Sequence, residues 1–158
     1  MLSRMVIASL ISLVLCVVST LQASGPGPSP AQKVETMVQA AADLVKAKGE
    51  GAFPEFRNKG SKWIGRERYI FIFDEKGLEL VNGGFPEMEG KNLWDHKDAS
   101  GRYVIRDQVA LIKSKGSGWI EGSWPKPGQT KEMKCRSFLK GVTVGGRLLI
   151  VGAPLYLE

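Results

Sequence analysis

The sequence predicts an α+β domain in which helices pack across a five-stranded antiparallel sheet. Apolar residues recur at helical spacing in two segments, while runs rich in aromatic and β-branched residues form five candidate strands. Glycine, proline and aspartate separate most of these runs by short turns, which favours antiparallel pairing. The chain has 158 residues, enough for one ordinary domain of roughly 100 to 200 residues.

The first helix is predicted to begin after Ser29 and to end at Gly49. Serine is a common N-cap, Pro30 fits the first helical position, and Gln32 stands where a capping box needs it. One apolar stripe follows at helical spacing, formed by Val34, Met37, Val38, Ala41, Leu44 and Val45. A short second helix is predicted from Phe53 to Arg57.

The first two strands are predicted at residues 68–74 and 78–82, joined by a turn that ends at Gly77. Because side chains alternate along a strand, Tyr69, Phe71 and Phe73 share one face, and Ile70 and Ile72 share the other. Both faces of this strand are therefore expected to be covered. Residues 83–100 form a long loop, and loops of that length in a compact domain are more often functional than idle.

The second half of the chain predicts one helix and three strands. Apolar spacing resumes at residues 103–115 and stops at Gly116. Strands are then expected at residues 118–124, about 132–142, and 148–157, with turns at Pro127-Gly128 and Gly145-Gly146.

The N-terminus predicts a secretory signal peptide over residues 1–23. Arg4 precedes an uncharged apolar stretch over residues 5–21, and Ala23 is a suitable small residue for cleavage. A Pro/Gly-rich linker over residues 24–30 and a single domain over residues 31–158 follow, which places the mature chain in the periplasm. The alternative is an uncleaved tether to the inner membrane, although the stretch is shorter than the ~20 apolar residues that usually span hydrocarbon.

Charge and cysteine content narrow the function classes. Loss of Arg4 lowers the formal charge from +6 to +5, and the basic residues are scattered, which indicates a solvated surface and no nucleic-acid partner. Cys135 is the single thiol left after cleavage, so an internal disulfide is excluded and we interpret it as a structural cysteine in a strand.

Five segments, in order, resemble a single Cache domain of the second type, an extracytoplasmic PAS-like sensor module of bacteria. They are YIFIFDEKG (69–77), EGKNLWD (89–95), KGSGWIEGSWPKPG (115–128), RSFLKGV (136–142) and the closing VGAPLYLE. The resemblance runs from about Val34 to Glu158. It implies a long N-terminal helix behind a five-stranded sheet, with a small-molecule pocket between the other face, the long loop and the later helix.

The resemblance also implies a set of ligand-binding residues. The pocket wall would include Tyr69, Phe71, Phe73, Trp94, Trp119 and Trp124. Lys134 or Arg136, just before Phe138 of the fourth strand, would meet a ligand carboxylate through paired hydrogen bonds. The implied function is binding of a small organic acid, amino acid or related metabolite without turnover, with a membrane-bound signalling partner to transmit detection.

This chain departs from the family pattern at three positions. Gly122 and Phe138 stand where tyrosines are frequent, and Asn82 stands where histidine is frequent. Gly122 leaves room for a larger or more apolar ligand, but the lost hydroxyls also fit an alternative, a structural or interaction module with no working pocket. Trp119 and Trp124 are an odd number of residues apart, so a regular strand can direct only one of them into the pocket.

No catalytic motif, cofactor-binding motif or metal-ligand cluster is predicted. The sequence has no G-x-S-x-G, H-E-x-x-H or P-loop pattern, which argues against an enzyme. His96 is the single histidine, and we expect it to be solvated in the loop among Asp95, Lys97 and Asp98. One histidine and one cysteine do not supply the usual ligands of a transition-metal site.

Overall fold

The structure is a computed structural model that describes residues 27–157. The predicted signal peptide and its cleavage site after Ala23 lie outside the described residues, as do the first residues of the predicted linker.

Helix α1 (Pro30–Lys48) begins and ends where its sequence predicts. Ser29 Oγ accepts the Gln32 N–H at 3.2 Å, and Gln32 Oε1 accepts the Ser29 N–H at 2.7 Å, which completes a capping box. The helix ends at Gly49, whose φ of 58° is readily adopted only by glycine. The buried stripe of α1 consists of Val34, Val38, Ala41, Ala42 and Val45.

Helix α2 (Phe53–Arg57) also has the predicted bounds and follows a 3₁₀ turn over Gly49–Ala52. Its Phe56 is fully buried and meets the ring of Trp63 edge to face, with 5.1 Å between centroids. This contact closes one end of the core beneath α1.

Five strands form one antiparallel sheet, which confirms the predicted fold class. They are β1 (Phe71–Asp74), β2 (Glu79–Asn82), β3 (Ser117–Pro125), β4 (Glu132–Val144) and β5 (Arg147–Tyr156), in the spatial order β2-β1-β5-β4-β3. Each neighbouring pair is antiparallel. Helix α3 (Val104–Lys115) precedes β3 and ends at Gly116, whose φ of 76° makes a left-handed cap.

Strand β1 is shorter than predicted because its ladder with β5 stops at the pair of Phe71 and Gly152. Continuing that register would set Tyr69 opposite Pro154, whose nitrogen carries no hydrogen to donate. Tyr69 instead forms an isolated bridge with Ile64 and keeps its side chain on the same side as Phe71.

The sheet separates two apolar clusters. On one face, α1 packs on β4 and β5 over a core that includes Ile70, Ile72 and Val151. On the other face, α3 packs over a second cluster that includes Phe73 and Leu139. The site described below lies on this second side, which we call the α3 face.

Candidate functional site

A cavity lies between the α3 face of the sheet, helix α3 and the loop over residues 83–103. It encloses about 50 Å³ of free space. Because one water molecule needs roughly 10–15 Å³ measured in this way, the cavity suits a compact ligand of a few heavy atoms. A concave site with apolar walls and a few polar groups is typical of small-molecule binding.

Strand β1 and the residues before it supply one aromatic wall, as predicted. Tyr69, Phe71 and Phe73 line the cavity, while Ile70 and Ile72 belong to the core under α1. The rings of Phe71 and Phe73 are stacked with 6.2 Å between centroids. Alternation along an extended chain is sufficient to produce this arrangement.

Strand β3 directs only one of its two tryptophans into the cavity. Trp124 lines it, whereas Trp119 lies on the α1 face, where its Nε1 donates to Glu35 Oε1 at 2.6 Å. The odd spacing of the two residues predicts this separation. The placement of Trp119 in the pocket wall is therefore corrected: its ring connects the sheet to helix α1.

Strand β4 turns the predicted carboxylate-binding residues away from the cavity. Arg136 stacks over the Trp119 ring at 4.5 Å, and the Phe138 ring lies 5.4 Å from it, both on the α1 face. Lys134 is exposed on the same side. The intervening residues Cys135 and Ser137 face the cavity instead. The expectation that the pocket is bordered by Lys134, Arg136 and Phe138 is wrong. Side chains alternate along a strand, and the register of β4 directs Cys135 and Ser137 into the cavity instead.

Trp94 anchors the loop and does not line the cavity, which corrects a further expectation. It packs against the cluster of the α3 face, and its carbonyl accepts from Arg106 Nε at 3.1 Å. The Arg106 guanidinium also lies 3.9 Å from the Tyr103 ring centroid and pairs with Asp95. A Cβ at Gly77, where φ is +83°, would approach the Trp94 backbone to 3.0 Å, so this turn requires glycine.

Two polar residues in the cavity wall, Glu79 and Gln108, were missed by the sequence reasoning. Glu79 on β2 is 3% exposed, and Gln108 on α3 is 6% exposed. Each is a polar residue at a buried position with apolar neighbours. Glu79 pairs with Phe73 across the strands, and Gln108 lies one helical turn from both Ile105 and Ile112. The sequence signal for both residues is a polar side chain within an otherwise apolar stripe.

The Glu79 carboxyl is fixed by its neighbour on the same strand. Asn82 Nδ2 donates to Glu79 Oε1 at 2.9 Å, while Asn82 Oδ1 accepts the Phe85 N–H at 2.8 Å and the Gly84 N–H at 3.2 Å. Burial raises the pKa of Glu79 to about 8, with a smaller contribution from the negative charge of Glu89. The site therefore holds a carboxyl group that is largely protonated at neutral pH when the cavity is empty.

The other titratable groups of the wall stay neutral. Tyr156 donates its hydroxyl hydrogen to the Pro125 carbonyl, so the Tyr69 hydroxyl, 3.5 Å away, is left to donate to the Tyr156 oxygen. Burial raises the pKa of Tyr69 well above its usual value and that of Tyr156 to about 12. Burial likewise raises the pKa of Cys135 to about 11, which agrees with its interpretation as a structural thiol.

The loop closes over Trp124 through His96, contrary to the expectation that His96 is solvated. The His96 ring meets the Trp124 ring edge to face, with 4.9 Å between centroids, and its Nε2 is buried. The His96 side chain is therefore half-buried, which residue type and loop position alone did not indicate.

Two further observations describe the surroundings of the site. Within residues 27–157, no helix has both the length and the apolar character that crossing a bilayer requires. Over the same range, no three His, Cys, Asp or Glu side chains come together as a metal site would need.

A long N-terminal helix behind a five-stranded antiparallel sheet, with a cavity on the opposite face, is a PAS-like architecture of the kind found in sensory domains. A family model described as Cache domain matches residues 57–149, more than half of the sequence. The chain belongs to the Cache domain family, as the sequence resemblance predicts.

Two curated relatives are bacterial chemoreceptors. The chain is 24% identical over 90 residues to the methyl-accepting chemotaxis protein McpP of Pseudomonas putida, and 33% identical over 69 residues to the methyl-accepting chemotaxis protein CtpM of Pseudomonas aeruginosa. These alignments cover 57% and 44% of this chain but only 16% and 12% of the receptors. The chain thus corresponds to a small part of each receptor.

Two solved structures match most of the chain. One is a periplasmic sensor domain of a chemotaxis protein, with a TM-score of 0.69 and 25% identity over 80% of this chain and 94% of that one. The other is a Cache chemosensory domain solved to explain its carboxylic acid recognition, with a TM-score of 0.69 and 27% identity over 81% and 93% of the two chains. The chain is therefore a Cache sensor domain related to the periplasmic domains of chemotaxis receptors.

Proposed function

We propose that this protein is an exported sensor domain that binds a small organic acid, amino acid or related metabolite without chemical change. The observation that carries the proposal is the cavity of the α3 face, whose walls combine aromatic rings with the buried, unpartnered Oε1 of Gln108. A buried polar atom without a hydrogen-bond partner costs stability, and a ligand that pairs with it recovers that cost. The family and the chemoreceptor relatives support a sensing role.

The proposed ligand-binding residues are those predicted aromatic side chains that border the cavity: Tyr69, Phe71, Phe73 and Trp124. Their rings supply apolar contact area, and Gln108 and Ser137 supply polar contacts. We assign the remaining predicted residues, Trp94, Trp119, Lys134, Arg136 and Phe138, to the scaffold around the site.

The proposed location is the periplasm, reached through a signal peptide over residues 1–23. The signal would pass to a membrane-bound partner, in keeping with the chemotaxis receptors to which the chain is similar. We expect N-terminal sequencing of the exported protein to begin at Ser24. An intact Met1 end would instead support the alternative of an inner-membrane tether.

The test of ligand binding is a thermal-shift screen of the exported protein against organic acids, amino acids and amines. A binding function predicts that at least one compound raises the melting temperature at millimolar concentration, and that it is recovered unchanged by mass spectrometry. If no compound stabilises the protein and a crystal structure shows the cavity filled by protein side chains, the alternative of a structural or interaction module holds.

Filling the cavity from β3 should abolish binding without unfolding the domain. A Cβ at Gly122 would lie 3.9 Å from Val104 Cγ2 and 3.9 Å from Asp98 Oδ2, both ordinary contact distances, so Gly122→Val adds its methyl groups to the cavity wall. We expect any hit of the screen to lose at least tenfold in affinity, measured by isothermal titration calorimetry. Glu121→Val is the matched control, because it places the same valine side chain one position away, on the opposite face of strand β3. Equal binding by both variants would contradict the site.

A further inference from the structure

The cavity presents one acidic side chain and no basic one. In the described part of the chain, Glu79 is the only charged residue whose side chain faces the cavity, and no lysine, arginine or histidine lines it. Glu121 and Ser123 border the cavity through their backbone, because alternation along β3 turns their side chains the other way. The nearest basic candidates from the sequence, Lys134 and Arg136, are separated from the cavity by the sheet.

Glu79 has no positive partner of its own. Among residues 27–157, no lysine or arginine nitrogen lies within 4.0 Å of its carboxyl group, whereas the adjacent Glu89 is paired with Arg57 at 2.9 Å. The hydrogen bond from Asn82 occupies only Oε1. A buried carboxyl group without a positively charged partner either stays protonated or binds a cation.

The other groups of the cavity wall are also suited to a cationic ligand. Gln108 Oε1 is a buried acceptor without a partner in the described residues. The faces of Tyr69, Phe71 and Phe73 carry the negative part of the aromatic quadrupole, which attracts cations. The Tyr69 hydroxyl hydrogen, which a carboxylate would need, is directed to Tyr156.

We propose that the cavity binds a small organic ammonium ion that carries no carboxylate, held by the Glu79 carboxylate, the Gln108 carbonyl and the aromatic rings. This inference rests on the proposed sensing function. Among the ligands named there it selects a related metabolite that is an amine, and it excludes the organic acids and amino acids. A carboxylate in the same place could accept the hydrogen of the protonated Glu79 carboxyl, but it would also meet the Gln108 acceptor oxygen and the negative ring faces. Its desolvation would have no compensating charge in the cavity wall.

Binding of an ammonium ion should release a proton. The ligand favours the ionised form of Glu79, which is mostly protonated in the empty cavity at neutral pH because burial raises its pKa to about 8. Alkylammonium ions resemble the lysine side chain and stay charged up to about pH 10. Affinity should therefore rise as the pH increases toward 8 and level off above it.

No other group facing Glu79 should interfere in that range. The pKa values of Tyr69 and Cys135 are both raised, and Cys135 titrates only near 11. Glu89 forms an ion pair with Arg57 at 2.9 Å. His96 contacts Trp124 and does not line the cavity, so the variant His96→Gln serves as a check and should leave the profile unchanged.

The test uses three probes of matched size: n-propylamine, propionate and propionamide. Calorimetry of the whole exported protein should show binding of n-propylamine, weaker or no binding of propionamide, and none of propionate. Glu79→Gln should weaken n-propylamine binding by about tenfold or more, as expected for loss of a charge-assisted hydrogen bond. Glu87→Gln, an exposed residue in the same region with the same charge change, should have no effect. Titration in two buffers of different ionisation enthalpy should reveal the released proton.

The possible failures are distinguishable. Propionate binding, unchanged n-propylamine binding to Glu79→Gln, or absence of proton release overturns the ammonium ligand class and leaves the sensing function in place. If n-propylamine does not bind but another compound of the screen does, the ammonium ligand class is likewise overturned and the sensing function stays in place. Failure of every compound overturns both proposals. The proton-release measurement uses the unmodified protein, so it remains decisive even if the Glu79 variant does not fold.

Discussion

Glu79→Gln is expected to remove most of the loss of stability that the protein undergoes between about pH 4.5 and pH 8. In the folded protein the pKa of Glu79 is raised to about 8 by burial, against an ordinary value of 4.5. Between these two values the folded state binds the proton and the unfolded state does not. Stability is therefore highest below the lower pKa and falls as the pH rises, which is the sign expected for an acid whose pKa is raised.

The expected size of this effect is large because Glu79 is almost completely buried. Above the folded-state pKa, the charged carboxyl should destabilise the protein by on the order of 5 kcal/mol, since each pKa unit corresponds to about 1.4 kcal/mol. Glutamine has nearly the same shape and can still accept the hydrogen from Asn82 Nδ2. Its amide does not ionise, so the variant should be more stable than the unmodified protein at alkaline pH.

Urea denaturation at a series of pH values from about 4 to about 9.5 measures the difference. The two proteins should have similar stability at the acidic end and diverge through neutrality, while Glu87→Gln follows the unmodified protein. Parallel curves for Glu79→Gln and the unmodified protein would mean that this carboxyl has the same pKa in the folded and unfolded states, and would also remove the expected proton release on ligand binding.

Phe73→Ala is the second change with a large expected effect. Phe73 on β1 is fully buried, and it stacks on Phe71 and packs with α3 and β5. Removing a buried phenyl ring from a core typically costs about 3 to 5 kcal/mol, from lost transfer free energy and from the void that remains. Because Phe73 also borders the ligand cavity, that void should open into it.

Two measurements check this prediction. Denaturation should show the loss of stability for Phe73→Ala, with a much smaller loss for Phe73→Leu, which keeps most of the apolar volume. The enlarged cavity of the alanine variant should also admit probes one or two methylene groups longer than n-propylamine. A loss below about 1 kcal/mol would show that the neighbouring side chains collapse into the space and that the cluster is not closely packed.

Much of the fold follows from local sequence signals. The caps at Ser29 and Gly49 and the apolar stripe between them define α1, and the short α2 has the bounds that its sequence predicts. The alternation at residues 69–73 determines which rings share the cavity face, and the odd spacing of Trp119 and Trp124 separates them. These outcomes were predictable because a helix repeats every 3.6 residues and a strand every two.

Half of the candidate site could not be predicted from local periodicity and capping. The sequence suggests a basic residue from β4 in the pocket, but a shift of one residue in strand register exchanges the two faces completely. The observed pairing of Arg136 with Leu155 and of Glu121 with Arg136 belongs to long-range contacts, and it sends Arg136 to helix α1. Trp94 looked like a pocket residue for a similar reason, since only the folded loop shows that it packs beside Arg106.

The sequence by itself determined the class of fold, the bounds of its helices and which residues of β1 face together, because these depend on periodicity and on capping within a few residues. The tertiary structure alone decided the chemistry of the cavity. It turned Lys134 and Arg136 outward and enclosed Glu79 and Gln108 among aromatic rings. The charge that a pocket offers depends on which side chains converge from distant strands and on how much water they lose there, and neither quantity is local in the chain.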